Sequence, residues 1–181
     1  MKICHLLTAA TLTFGVALGT PPASAQDDGP LIPREILFGN PSKASPRLSP
    51  DGSKLSFLAP VNGVLNVWVG PVHDPDAAQP VTSDMGRGIR IYFWAYTDQH
   101  ILYLQDEDGD ENWRLFCVDI TSGRETSLTP DMATAPGATQ MHEVSARVQH
   151  VSHKYPRDVV IGLNDRDPRY HDLYVCNIDT G

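Results

Sequence analysis

The sequence predicts an all-β protein built from repeated four-stranded antiparallel units, on three observations. First, residues 92–129 read as four short strands in a row, YFWAY, HILYLQ, WRLFCVDI and RETSLT, the last three set apart by the turn clusters DEDGDEN and TSG. Aromatic and β-branched runs bounded by Gly, Asp, Asn and Ser are the hairpin signal, and strands joined only by hairpins make a meander. Second, the unit recurs: LFCVDITSG at 115–123 is echoed by LYVCNIDTG at 173–181, an offset of 58. Third, an earlier copy occupies 49–72, with SPDGSKLSFLAP, a turn at Asn62-Gly63, and LNVWVGPV; aligning Val67 with Leu115 gives an offset of 48. A meander repeated at such spacings is the signature of propeller blades. The expectation is an incomplete β-propeller of about two and a half four-stranded blades, near 44–83, 91–129 and 142–181.

In chain order, residues 1–25 read as a secretory signal peptide. Lys2 gives a positive start, 6–17 is a short apolar run, and Ala23-Ser24-Ala25 is a small-residue cleavage site. The run is broken by threonines and too short to span a bilayer, so no membrane association is expected after cleavage. Residues 26–48 form a lead-in and first strand. IPREILF at 32–38 suits one or two helical turns with Pro33 at the start, and Gly39-Asn40-Pro41 ends them. The partial propeller takes 49–181. Ser49-Pro50-Asp51-Gly52 is a turn, with strands at 54–59 and 65–69 and a brief outer strand at Val81-Thr82. The central unit follows, then a Pro/Ala/Gly/Thr loop at 130–139. The last unit restarts at 142–151, takes a turn at 155–158, and continues through strands at 159–163 and 173–178 around a turn at 164–169. No fourth strand follows Gly181 as one follows Gly123, and the simplest expectation is the N-terminal piece of a longer protein.

The 181 residues carry a formal charge of −8 with no basic cluster, which argues against nucleic acid and anionic lipid as partners. Secretion permits disulfides. Beyond the signal peptide, however, Cys117 aligns with Val175 and Cys176 with Val118. That one-step offset puts the two on opposite faces of equivalent strands, and the expectation is two free, mostly buried thiols.

SPDGSKLSFL follows a motif that recurs in secreted propellers, and IPREILFGNPSKASPRLSPDG resembles the entry segment of the prolyl oligopeptidase family of serine peptidases. The stretches 92–123 and 151–181 resemble blades of its bacterial branch, near the dipeptidyl aminopeptidases and acylaminoacyl peptidases. The resemblance covers 32–181. It implies a periplasmic or secreted peptidase whose propeller caps an α/β-hydrolase domain and restricts access to it, with peptides as substrates of that domain. The catalytic Ser, Asp and His would belong to the hydrolase domain. No G-x-S-x-G elbow occurs here, so no catalytic residue is assigned and the chain alone is expected to be non-catalytic. The competing reading is a non-enzymatic, TolB-like propeller serving as an interaction scaffold, because SPDG occurs in those proteins too.

The acidic stretch Asp106-Glu107-Asp108-Gly109-Asp110-Glu111 reads first as a solvated hairpin turn. Its glycine is fourth and its twelfth position is Cys117, which does not fit an EF-hand loop. The resemblance adds a further role: some relatives hold a substrate's free amino terminus with propeller carboxylates, and Glu111 is the candidate substrate-binding residue here. His142-Glu143 opens like H-E-x-x-H, but Ala146 stands where the second histidine belongs. His150 and His153, three apart, face opposite sides of a strand, and Trp68, Trp94 and Trp113 read as core between blades. No metal site and no cofactor are expected.

Overall fold

The structure, a computed structural model, describes residues 32–134 and 136–181; the expected signal peptide lies outside the described residues. A single helical turn, α1 (Arg34–Phe38), precedes the sheets. The first blade comprises β1 (Ala44–Leu48), β2 (Lys54–Val61), β3 (Val64–Pro71) and β4 (Gln79–Pro80). The second comprises β5 (Ile91–Trp94), β6 (His100–Gln105), β7 (Arg114–Asp119) and β8 (Glu125–Ser127). A two-stranded ribbon, β9 (Met132–Ala133) with β10 (His142–Glu143), is followed by a three-stranded blade, β11 (Ala146–Ser152), β12 (Tyr155–Asp167) and β13 (Tyr170–Asn177). Each sheet pairs its strands antiparallel and in chain order. The fold is an incomplete β-propeller, as the repeats predict.

Side-chain alternation decides which blades touch. On the second blade, Tyr92, Trp94, Ile101, Tyr103 and Val118 meet Leu58 and Val67 of the first. The opposite face, with Leu102, Leu115 and Cys117, meets Val159, Ile161 and Cys176 of the third. Val67, Ile101, Leu102, Leu115, Val118 and Val159 are all completely buried, and each side chain of this kind stabilises the fold by roughly 1.5–3 kcal/mol. The sheet-to-sheet core also holds a polar node. The Trp94 indole donates to Ser56 Oγ at 2.9 Å, the Tyr92 hydroxyl lies 3.1 Å from that oxygen, and Tyr92 donates to the Ser45 carbonyl at 2.6 Å. The third tryptophan is peripheral: Trp113 is half-buried, whereas Trp68 lies on the far face of the first blade and donates to the Ala59 carbonyl.

Among the described residues, Cys117 and Cys176 are free and buried, and they share one core. Opposite faces of equivalent strands on neighbouring blades are the faces that meet, so the one-step offset brings the two residues into the same interface rather than separating them. Burial pushes the Cys117 thiol up to about 12, with Asp179, Asp119 and Cys176 adding to the effect.

Several element boundaries differ from the expectations. The outer strand of the first blade is Gln79–Pro80, not Val81-Thr82. Val81 still donates to the Val67 carbonyl at 2.8 Å, but the Val67 N–H is taken by the Thr82 hydroxyl at 2.9 Å. A side-chain oxygen replaces the backbone carbonyl, and the ladder ends there. The second blade repeats the device, with Leu128 donating to the Leu115 carbonyl and Thr129 Oγ1 accepting from the Leu115 N–H. In the third sheet the turn falls at His153–Lys154, so Tyr155 opens β12, and that strand runs through the expected 164–169 turn as far as Asp167. Tyr170 pairs with Asp167, and Arg166 is paired with Asp172 across the hairpin, its Nη2 2.9 Å from Oδ1. Those cross-strand partners let a charged segment remain extended.

Candidate functional site

Because the strands alternate in direction, three connections reach the same end of the structure. They are 83–90, which leads from the first blade to the second, the acidic loop 106–113 within the second blade, and 130–145, which leads to the third. The chain enters the first through Val81-Thr82-Ser83-Asp84 and the third through Leu128-Thr129-Pro130-Asp131. This repeat, of the form apolar-Thr-x-Asp, has a structural basis: each threonine closes a ladder as described above, and each aspartate then organises its connection. Asp84 accepts the N–H groups of Gly86 (3.2 Å) and Gly88 (2.6 Å), and Asp131 lies 2.9 Å from Arg114 Nη1.

The acidic loop is pinned from both sides. Asp106, whose side chain is only 6% exposed, pairs with Arg87. Glu107 accepts from Arg114 Nη2 at 3.1 Å, so Arg114 bridges Glu107 and Asp131. The hydrogen bond that Arg114 donates to Asp131, above all, holds the guanidinium above its ordinary range. Asp110 folds back on its own loop, accepting the N–H groups of Glu107 (3.2 Å) and Asn112 (3.0 Å), and the Asn112 amide donates to Glu143 on the ribbon. Two carboxylates of the loop remain, Asp108 and Glu111. Both are exposed, and among the described residues neither has a hydrogen bond or ion pair. Both also sit in left-handed backbone, with φ +50° and +62°, at a cost of roughly 1–2 kcal/mol per residue.

A cavity of about 380 Å³ opens beside the loop, lined by the 83–87 segment, Gln105–Asp108 and a ring pair. In that pair Tyr103 stacks on Phe116 with centroids 5.1 Å apart. Burial, followed by the carboxylate of Glu125, pushes the Tyr103 hydroxyl up, which keeps it a neutral donor. A second cavity, of about 220 Å³, lies between the loop and the ribbon and is lined by Glu107, Asp110, Arg114, Asp131 and Glu143. Glu111 lines neither cavity and stands at the exposed turn of the loop. Among the described residues no group of three or more His, Cys, Asp or Glu is arranged to hold a metal ion.

The other candidate residues have structural occupations. His142 lies on β10, and its Nε2 is 2.7 Å from the Asn164 carbonyl, so the His-Glu pair is strand rather than a helical zinc motif. His153 packs edge-on against Tyr96, linking the second and third blades at the opposite end. Sequence reasoning missed Arg87 and the buried role of Asp106. The available signal was the repeated Thr-x-Asp with the Gly-Arg-Gly that follows its first copy.

The fold and this end of it define a propeller module with acidic connections. No family model matches the sequence. The chain is 42% identical over 180 residues, 97% of its length, to dipeptidyl aminopeptidase BIII of Pseudoxanthomonas mexicana. It is 31% identical over 151 residues, 83% of its length, to dipeptidyl peptidase family member 6 of Caenorhabditis elegans. It spans 25% and 20% of those relatives. Among solved structures, the β-propeller domain of the trilobed protease from Pyrococcus furiosus superimposes with a TM-score of 0.50 at 18% identity, covering 75% of this chain and 41% of that one, a likeness of fold. The chain belongs to the prolyl oligopeptidase family, as part of its propeller region.

Proposed function

We propose that this chain is the propeller portion of a periplasmic or secreted serine peptidase, and that it admits and selects peptides for a hydrolase domain encoded beyond Gly181. The observation that carries the reading is identity of 42% along 97% of the chain with a dipeptidyl aminopeptidase of which it spans 25%. Both curated relatives bear peptidase names, which favours this reading over the scaffold alternative. In this reading Glu111 meets the substrate's free ammonium group, which a carboxylate pairs with well once both are partly desolvated. Asp108, presented in the same way, is the second carboxylate within that loop.

The test is to read the coding frame past the codon for Gly181 and to express the longer product. A G-x-S-x-G elbow followed by an Asp and a His, with peptidase activity abolished by replacing that serine, is the expected result. Further blades with no hydrolase domain would favour the scaffold, and an immediate stop codon in a gene whose product is folded and soluble would overturn the proposal. Within the active protein, Glu111→Gln should raise KM for free-amine peptides about tenfold, corresponding to about 1.4 kcal/mol; an unchanged KM removes Glu111 from the site.

A further inference from the structure

We propose that Arg87 is a positioning residue for the amine-binding loop, an inference that rests on the reading of Glu111 above. Arg87 belongs to neither strand of the hairpin that carries the loop; it comes from the connection between the first and second blades. Its guanidinium makes two contacts on the loop. One is the buried carboxylate of Asp106, where the loop leaves β6. The other is Gly109, at the turn: a Cβ built on that glycine would sit 2.7 Å from Arg87 Nη1. The glycine is required by its φ of +91°, and the guanidinium beside it would have to shift to admit a side chain there.

These contacts bear on what the loop presents. Asp108 and Glu111 flank the stretch that Arg87 covers, and both hold left-handed backbone without a partner of their own. Such conformations persist only where the surroundings over-determine them. Arg87 supplies that constraint, anchoring the first leg through Asp106 and the apex through Gly109. A guanidinium is large enough to reach both at once; an ammonium, as a compact point charge, replaces the ion pair but not the reach to the apex. Arg87 thus acts on substrate only through the loop, setting where the Glu111 carboxylate stands.

The experiment uses the full-length peptidase. For Arg87→Ala, Arg87→Lys and Gly109→Ala, the measured quantities are KM and kcat for a free-amine dipeptide chromogenic amide and the inhibition constant of the N-acetylated dipeptide. Arg87→Ala and Gly109→Ala should each raise KM for the free amine about tenfold, with kcat within about twofold and the N-acetylated inhibitor unaffected. Arg87→Lys should recover only part of the loss. Gly109→Ala also strains the turn through its φ of +91°, so it reports on the shape of the loop as a whole, and Arg87→Lys carries the test of Arg87 if Arg87→Ala fails to fold. An unchanged KM in a folded variant, or an equal loss for free and acetylated peptides, overturns the proposal. Glu111→Gln separates the two readings: if it leaves KM unchanged, the anchoring role itself fails; if it raises KM while Arg87→Ala and Gly109→Ala do not, only the role of Arg87 fails.

Discussion

Ser56→Ala is the sharpest test of how the first two blades are joined. Ser56 is completely buried on β2, and its hydroxyl accepts from the Trp94 indole at 2.9 Å. Its own proton faces the Arg47 carbonyl (3.2 Å) and the Tyr92 hydroxyl (3.1 Å). Tyr92 keeps its bond to the Ser45 carbonyl without Ser56, so the group the substitution strands is the Trp94 N–H, on a side chain 6% exposed. A buried donor left without an acceptor costs about 1–3 kcal/mol. With about 2 kcal/mol lost and an m-value of about 2 kcal/mol per molar urea, the midpoint should fall by about 1 M at unchanged m. Tryptophan fluorescence in urea reads this directly. The same substitution in a Trp94→Phe background should cost about 1–2 kcal/mol less, because no indole N–H remains to be stranded. A midpoint shift under about 0.25 M, or an equal cost in both backgrounds, would refute the assignment of the node as the inter-blade link.

Gly70→Ala should destabilise by about 1–3 kcal/mol, since the added Cβ would lie 2.6 Å from the Ala78 Cα, where only backbone can yield; thermal unfolding measures it, and a stability equal to wild type would show that the 3₁₀ turn at Pro75–Ala77 is not packed against β3. Cys117 and Cys176 should resist a thiol reagent in the native state and react once urea unfolds the chain. The folded Cys117 thiol is raised to about 12 from an ordinary value of 9.0, so its contribution to stability is complete below pH 9 and should be lost as pH rises toward 12, at about 1.4 kcal/mol per unit. Alkaline melts of wild type and Cys117→Ala should diverge in slope there, and parallel curves would refute it. His171 has a buried Nε2 without a partner among the described residues, and burial followed by the charge of Arg147 holds its pKa below 6.5. The folded state therefore disfavours the proton, stability should decline as pH falls below 6.5, and His171→Leu should flatten that decline.

The repeats were legible because the third strands of the first two blades, β3 and β7, carry their pattern locally: Val67 and Leu115 align in sequence, and both prove completely buried at equivalent positions. The outer strand was placed two residues late for a reason that no propensity encodes. Val81 does run along β3, but the next acceptor is the Thr82 hydroxyl, and a ladder that switches from backbone to side chain stops being a strand. The third sheet was cut short at 164–169 because Asn, Asp, Arg and Pro in sequence read as turn. Ion pairs across the hairpin, visible only once Arg166 and Asp172 are brought opposite each other, override that reading. The cysteines show a different failure. The face assignment was sound, but in stacked sheets opposite faces of neighbours meet, so the geometry of the stack reverses what the geometry of one strand suggests.

The site was legible only as composition. Five carboxylates in six residues mark an acidic loop, and nothing in their spacing separates those that build it from those that face outward. That division comes from contacts made at a distance in sequence: Arg87 reaches Asp106 across 19 residues, and Asn112 reaches Glu143 across 31. Once these partners are assigned, Asp106, Glu107 and Asp110 are accounted for as structure, and Asp108 and Glu111 are left with exposed charge and left-handed backbone. A solvated turn with no further role could relieve that backbone at either position by adopting glycine or asparagine. The proposed contact of Glu111 with a substrate ammonium rests on that exposed, unpaired carboxylate, and the Glu111→Gln comparison decides whether it meets anything outside the loop.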